Sequence, residues 1–581
     1  MAQAKTHLGA ILTFARPWKE TARAAALALA LATLAWGQAQ RMPVSGSYGG
    51  ALTVPVGADP QTLNPAFAMD STSQLLASLT MADLMHINPR TLRVEPALAT
   101  RVDHRSDRVW VVHLRHGVRF SDGAPFTAAD VAFSFQVYTD PTLDAPERSL
   151  LTVKGVPVRC KVLASDEVEL DLPGPIAVGD RLFDSVWMLP RHLLLGAYQS
   201  GQLAHAWSPD THPAAMAGLG AFRLEAFQPG REIRLGRNPY YWRADASGRR
   251  LPFLNALHLS VVADPSLRLT LFVRGQVDGL EALDSADFHR LRGDRCCRLQ
   301  DAGPGLNAEV MVFNQAPSAP GAPAPARAWF RQAAFRRAVS QAVDRANLAR
   351  NVYHGLAAPL ASLTSPSEGM WADPTPAAIV NDAAALATLR QAGFQLRQKQ
   401  LYDAQGRAVA FSLIVPASSA ERMQLAVFLQ EDLRRVGMAV QVVPLDFASY
   451  LQRLLDRHDF EAALVGIQSP DADPNSESNE WPLNGPWHFW NPDPQAPTPW
   501  EKDLDRWFHL QMVTTRPAAR LRVYRRMQQV EHHQLPLVPL LAPDILVGAK
   551  PGLEGVAPAL LPPHLLWNAD ELHWAAGHGN R

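Results

Sequence analysis

The segment Leu114–Tyr138, LRHGVRFSDGAPFTAADVAFSFQVY, is the most informative about the fold, because a tight turn and a helix directly follow a strand. The run VWVVHL at 109–114 has the alternation that predicts a strand. Asp122-Gly123 is typical of a tight turn. Thr127 is a suitable N-cap, and Asp130 places a carboxylate in the first helical turn, where it suits the helix dipole. We therefore expect Asp122 and Asp130 to have structural roles.

The early part of the chain has strand-rich patterns, whereas the patterns of the second half alternate between helix and strand. Alternating apolar residues predict a strand at 52–56, and Pro229-Gly230 predicts a hairpin over 221–236. The later pattern predicts helices at 335–343, 383–392, 425–436 and 447–455, and strands at 409–415, 440–443 and 460–465. This alternation favours an α/β lobe. The Pro/Ala-rich stretch 316–326 is expected to be a surface loop, and Asp344 to belong to a helix start.

Composition narrows the class of protein. The chain has 581 residues, 47% of them hydrophobic and 19% charged, which excludes wholesale disorder and favours several domain-sized units. The 55 basic and 55 acidic residues balance, so no nucleic-acid partner is expected. Cys160, Cys296 and Cys297 are too few for a disulfide scaffold or a four-cysteine zinc site. Whether any of them pair stays open.

The N-terminus has the pattern of a secretory signal peptide over residues 1–39. Four basic residues precede the apolar run AAALALALATLAWG, and Gly37 and Ala39 frame a cleavage site. An uncleaved N-terminal anchor is the alternative. The absence of a cysteine near the exit predicts no lipid anchor, and hence a periplasmic location.

Several blocks of sequence, taken together and in order, resemble one family. They are TLNP at 62–65, LRHGVRFSDG with AADV at 114–131, GLGAFRLEAFQPGREIRLGRNPYYW at 218–242, GQVD at 275–278, RRAVSQAVDRANL at 336–348 and LLWNADELH at 565–573. The chain is similar to the extracellular solute-binding proteins of peptide and nickel ABC importers, family 5, of the oligopeptide- and dipeptide-binding type.

This resemblance implies a two-lobed α/β periplasmic binding protein of type II, the large peptide-binding class, with an extra subdomain on the first lobe. The expected division is a signal peptide at 1–39, lobe I at 43–90, the extra subdomain at 91–217, lobe I again at 218–312, lobe II at 313–530, and a return to lobe I at 531–581.

The implied function is capture of a solute between the lobes and its delivery to the transmembrane subunits of an ABC permease. A short peptide is the expected solute, another small solute is the alternative, and a monomer is expected. No catalytic residue, cofactor or metal ligand is assigned, because the phosphate-loop, zinc-helix and nucleophile-elbow motifs are not found. Two alternatives stay open: a secreted carboxylate-dependent hydrolase, and a sensor or chaperone that keeps the fold without a transport role.

Candidate ligand-binding residues concentrate in the stretch 466–500, which has no regular period and is rich in Trp, Pro, Asp and Asn. In peptide-binding relatives an acid that holds the peptide amine lies three residues before an acid-Pro pair. Here Asp473-Pro474 matches the pair, but the clamp position is Pro470, with Asp471 beside it. Either Asp471 takes over the clamp or no amine is held there.

Asp473 is equally interpretable as a turn cap. Trp481 and Trp487 are candidates because aromatic planes line ligand clefts. Asn314, which follows a predicted strand, is expected near the cleft or as a loop cap.

Overall fold

The computed structural model describes residues 46–577, apart from residues 149, 154 and 319. The expected signal peptide at 1–39 lies outside these residues. None of the helices in the described part of the chain is long and apolar enough to cross a membrane.

Twenty-four strands occur in the described residues. Those of the first half are β1 (Ala51–Val56), β2 (Met85–Ile87), β3 (Val94–Pro96), β4 (Ala99–His104), β5 (Val109–Leu114), β6 (Thr152–Val153), β7 (Val156–Pro157), β8 (Arg159–Ala164), β9 (Glu167–Asp171), β10 (Phe222–Gln228), β11 (Glu232–Arg237), β12 (Ala256–Val261), β13 (Gly279–Leu280) and β14 (Arg298–Pro304). Those of the second half are β15 (Ala308–Phe313), β16 (Ala357–Pro359), β17 (Gln395–Arg397), β18 (Gln400–Tyr402), β19 (Ala410–Pro416), β20 (Ala439–Leu445), β21 (Ala462–Ile467), β22 (Leu537–Ala549), β23 (Leu553–Glu554) and β24 (His573–Trp574).

The helices of the described chain are α1 (Ser71–Thr80), α2 (Ala128–Thr139), α3 (Arg191–Gln199), α4 (Pro265–Val273), α5 (Ser285–Leu291), α6 (Ala324–Phe330), α7 (Ala333–Ala342), α8 (Arg345–Asn351), α9 (Asp382–Gln391), α10 (Ala420–Arg435), α11 (Phe447–Leu451), α12 (Pro499–Val513) and α13 (Pro517–Gln534). Shorter 3-10 turns occur at Pro65–Phe67, Pro146–Arg148, Gly179–Phe183, Leu203–His205, Pro213–Ala215, Pro366–Trp371, Pro474–Glu477 and Leu566–Asn568, and a π turn at Gln452–Asp456.

Two four-stranded sheets share one hydrophobic core in the first half of the chain. Their strand orders are β1-β12-β11-β10 and β4-β5-β9-β8. The alternation that predicted β1 is explained by burial, since Leu52 and Val54 are inaccessible to solvent. Apolar residues near the C-terminus, such as Val547 and Leu565, pack into the same core. The C-terminal end of the chain therefore completes the first half of the molecule.

An eight-stranded mixed sheet forms the second half, with the path β13-β22-β15-β21-β19-β20. Alternate residues of β15 supply two different cores: Met311 and Phe313 face one, and Val310 and Val312 face the other. Both faces of this sheet are therefore covered, as in α/β layers.

Strand β22 links the two halves because it changes partners along its length. Its first part pairs with β15 and β16, whereas its last part, from Asp544, pairs with β13 and β14. The chain thus crosses between the halves twice, at 304–308 and at 541–544. We call 46–304 with 544–577 the first lobe, 308–541 the second lobe, and the contact between them the seam.

The expected lobe boundaries at 312/313 and 530/531 are shifted by this pairing. The first cuts off the end of β15, whose six residues pair with β21 in the sheet of the second lobe. The second cuts α13, which continues to Gln534. Sheet hydrogen bonding, which sequence periodicity does not report, determines where the crossings fall.

The roles predicted for three acidic residues agree with the turn and the helix starts that the structure shows. Thr127 and Asp130 form a capping box at the start of α2, and Asp344 caps α8 by accepting from the Asn347 amide. Asp122 accepts from the Ala124 amide in its turn. The structural interpretation of these three acids is therefore confirmed.

The stretch 316–326 differs from its predicted surface loop. Its end begins α6, and Ala322 and Ala326 are buried. Proline is tolerated in a first helical turn, so Pro323 and Pro325 do not prevent this helix.

Candidate functional site

An ion pair between the lobes identifies the candidate site. Arg181, in the 3-10 turn Gly179–Phe183 of the first lobe, meets Asp471 in the loop after β21 of the second lobe. Its Nε lies 2.8 Å from Oδ2 of Asp471, and its Nη2 lies 2.7 Å from Oδ1. The same guanidinium donates to the Leu92 carbonyl oxygen at 3.0 and 2.9 Å, which orients it toward the seam.

Asp471 is held in a poorly solvated position. Its side chain is 18% exposed. Burial raises its pKa to about 7, although the Arg181 charge acts to lower it, and the neighbouring charge of Asp473 adds to the rise. An ionised Asp471 therefore requires a cation close by, which Arg181 provides in this conformation.

Further carboxyl groups lie behind Asp471 in the second lobe. Glu368, Glu477 and Glu531 are all buried. Burial raises the pKa of Glu477 to about 7, although Tyr524 Oη and Trp481 Nε1 each donate to it at 2.6 Å. Burial, reinforced by the charges of Glu477, Asp471 and Glu531, raises the pKa of Glu368 well above its usual range. These buried carboxyls therefore favour their neutral, protonated forms.

Apolar and backbone contacts close the seam beside the ion pair. Ile87, Leu306 and Leu561 pack with Ala472, the residue after Asp471. The Ala177 amide also donates to the Met512 carbonyl oxygen at 2.9 Å. The two lobes are therefore in direct contact around Asp471.

Asp473 lies close to Asp471 in sequence but has a different environment. Its carboxylate caps the 3-10 turn Pro474–Glu477 and accepts from Arg520 Nη1 and Nη2, each at 2.6 Å. Both side chains of this pair are buried. In this conformation Asp473 thus serves as the turn cap that the sequence left as an alternative, compensated within its own lobe.

The two candidate tryptophans occupy different places. Trp481 is 2% exposed and packs against Trp490 with ring centroids 5.8 Å apart, inside a core of the second lobe. Trp487 is only partly buried and lines a cavity of about 440 Å³ together with His458 and other residues of the same lobe. The structure does not bring these two side chains to Asp471.

Asn314 is fully buried at the end of β15. Its Nδ2 donates to the His458 carbonyl oxygen at 2.8 Å, and its Oδ1 accepts from the Ala316 amide at 3.2 Å. This is the loop-capping geometry that the sequence left as the alternative.

The sequence did not indicate Arg181, Glu368 or Arg520. Arg181 lies 290 residues from its partner Asp471, and no local pattern distinguishes it from other arginines. Glu477 lies inside the singled-out stretch 466–500, but its neighbours there gave no reason to choose it. One group of described side chains can also chelate a metal ion: Asp83, His86 and Asp184.

Two α/β lobes joined by two crossings, with a charged residue of each lobe meeting across the seam, define a two-lobed binding protein. The family described as bacterial extracellular solute-binding proteins, family 5 (middle region), matches residues 93–488. The chain belongs to this family of solute-binding proteins, as the resemblance implied, and the two-lobed fold class is confirmed.

Individual relatives agree with this assignment. A probable ABC transporter-binding protein of Deinococcus radiodurans is 24% identical over 456 residues, covering 74% of each chain. The peptide transport periplasmic protein SapA of Salmonella typhimurium is 24% identical over 536 residues, covering 86% of this chain and 87% of the relative. The ABC transporter substrate-binding protein CtaP of Listeria monocytogenes shares the fold, with a TM-score of 0.76 and 19% identity over 91% of this chain and all of that one. These findings do not favour the hydrolase or sensor alternatives.

Proposed function

We propose that this chain captures a short peptide at the seam and delivers it to the transmembrane subunits of an ABC permease, acting as a monomer in the periplasm without a lipid anchor. Membership of the solute-binding family supports the binding role, and the name of the Salmonella relative supports a peptide. In this role the protein makes and breaks no covalent bond of its solute.

The Arg181–Asp471 pair is the observation that carries the proposal. A peptide ammonium group is a cation of the kind that Asp471 requires, and Arg181 is the cation that contacts it in this conformation. We infer that the ammonium replaces the guanidinium at Asp471 when a peptide binds.

Calorimetric binding of a peptide and of its N-acetylated form tests this proposal. The Asp471→Asn variant should bind the free-amine peptide at least ten-fold more weakly, because a charge-assisted hydrogen bond is lost. Its affinity for the acetylated peptide should match that of the wild type. Asp503→Asn, at an exposed pair with Arg506, is the matched control and should change neither affinity.

Two results would contradict the proposal at different levels. Equal affinity of wild type and Asp471→Asn for the free-amine peptide would remove Asp471 as the amine partner. If native mass spectrometry of the protein from a periplasmic extract shows no peptide adduct, and a peptide library shows no binding, the peptide itself is the wrong solute.

A further inference from the structure

Three potential metal ligands from two distant segments converge on one point in the first lobe. His86 lies in β2, Asp83 precedes that strand, and Asp184 follows the 3-10 turn Gly179–Phe183. His86 Nδ1 lies 3.0 Å from Oδ2 of Asp83 and 3.2 Å from Oδ1 of Asp184. All three ligand atoms lie within 4.8 Å of one another.

These separations are close to those around a shared metal ion. Zinc bonds to imidazole nitrogen and carboxylate oxygen are about 2.0–2.2 Å long, so ligand atoms of a tetrahedral site stand about 3.3–3.6 Å apart, and binding requires the carboxylate oxygens to move from His86 Nδ1 by only a few tenths of an ångström. A neutral imidazole with its bare Nδ1 between two anionic oxygens is unfavourable, so a positive centre is required at this point. That centre is either a proton on Nδ1 or a metal ion.

The carboxylates are already oriented by the backbone. The Ile87 amide donates to Oδ1 of Asp184 at 2.6 Å, and the Ser185 amide approaches Oδ2 of Asp83 at 3.4 Å. Such outer hydrogen bonds orient the ligands of metal sites. Asp83 is nearly inaccessible, whereas the His86 side chain is 41% exposed, so an ion has a route from solvent.

We propose that Asp83, His86 and Asp184 bind a divalent transition-metal ion of the zinc class. One imidazole and two carboxylates suit such an ion better than Mg²⁺, which prefers oxygen ligands and retains its water. Three protein ligands leave a position open for water or a further ligand, as in open zinc sites. The site adjoins the seam, because Ile87 belongs to the same hydrophobic cluster as Ala472 and Asp184 lies three residues beyond Arg181. This inference does not depend on the identity of the solute.

Calorimetric titration of the tag-free, chelator-treated chain with Zn²⁺ tests the site. We expect one high-affinity equivalent that Mg²⁺ does not displace, with affinity falling at least ten-fold in His86→Ala and in Asp184→Asn. His192→Ala is the matched control, because His192 Nε2 lies 2.8 Å from a single carboxylate, that of Asp122, and should leave the high-affinity equivalent unchanged.

Circular dichroism and thermal melting establish that each variant is folded. If His86→Ala does not fold, His86→Gln together with Asp184→Asn decides the question. No uptake of Zn²⁺ by the wild type, or uptake unchanged in the folded His86 and Asp184 variants, would show that these residues form only an ion pair.

Discussion

Replacing Arg181 with methionine should shift the ligand-free protein toward the open form, because Arg181 is the positively charged residue of the first lobe that pairs with Asp471 of the second lobe. The substitution keeps an unbranched side chain but removes both hydrogen bonds across the seam, at 2.7 and 2.8 Å. The bonds from Arg181 to the Leu92 carbonyl oxygen are lost too, but they lie within the first lobe. Their loss therefore affects open and closed forms alike.

The size of the effect follows from the environment of the pair. Both side chains are less than one-fifth exposed, so solvent screens them weakly. Hydrogen bonds to charged groups contribute roughly 1.5–3 kcal/mol, and 1.4 kcal/mol is a factor of ten in an equilibrium constant. The ratio of closed to open molecules should therefore fall by about 10- to 100-fold.

Small-angle scattering of the ligand-free protein measures this shift as an increase in the radius of gyration. The effect should be large at pH 8, where Asp471 is ionised, and small at pH 5.5, because the Asp471 pKa of about 7 leaves that carboxyl protonated there. Affinity for a free-amine peptide should rise, since the variant destabilises only the ligand-free closed form. Unchanged scattering at pH 8, or a shift of equal size at both pH values, would show that the Arg181–Asp471 ion pair does not hold the lobes together.

Two further substitutions probe the second lobe and the crossings. Burial and the charge of Glu477 raise the pKa of Glu480 to about 8. The stability that the protonated Glu480 side chain contributes is therefore fully present below the pKa of Glu480 in the unfolded chain, and it is lost as the pH rises toward 8. Urea unfolding should therefore show Glu480→Gln equal to wild type near pH 4 and more stable by roughly 4–5 kcal/mol at pH 8.5; a difference independent of pH would contradict this. At the crossing, a Cβ added to Gly305 would lie 2.7 Å from Ile545 Cδ1. Gly305→Ala should therefore lower the free energy of unfolding by about 1 kcal/mol. A Cβ added to Gly196 meets no atom within 4 Å, so the control variant Gly196→Ala should not destabilise the protein. Equal stability of the two alanine variants would show that the crossing tolerates the extra carbon.

Much of the fold was predictable because its signals are local. The alternation at 109–114 corresponds to β5 without a shift, and the N-cap at Thr127 marks the start of α2. Such patterns report which side chains a strand or helix buries, and they act within one or two turns of the chain. The order of the lobes along the chain was expected from the resemblance of several sequence motifs to the family, because hydrophobic periodicity alone does not indicate it.

The candidate site was less predictable because its residues meet through the fold. Tryptophan density drew attention to 466–500, but the same density also builds a core, where Trp481 donates to Glu477. Asp471 was identified from its position, whereas its partner Arg181 comes from the other lobe. The proposed metal site of Asp83, His86 and Asp184 was not predicted for the same reason, since Asp184 is about a hundred residues from His86 in the sequence.

The charge distribution at the seam connects closure with the choice of solute. Asp473 has its own cation in the second lobe, Arg520, whereas Asp471 depends on Arg181 of the opposite lobe. Opening the seam leaves Asp471 to solvent, and closing it without a cation would bury an unpaired charge, which is strongly unfavourable. While Asp471 is ionised, closure of the seam therefore requires either Arg181 or another positive group at this carboxylate. Because the Arg181 guanidinium already pairs with the ionised Asp471 across the seam, a neutral or anionic group of a solute would interact with this carboxylate less favourably than the guanidinium does. On the proposed function, a peptide ammonium group is the positive group that replaces the guanidinium at Asp471.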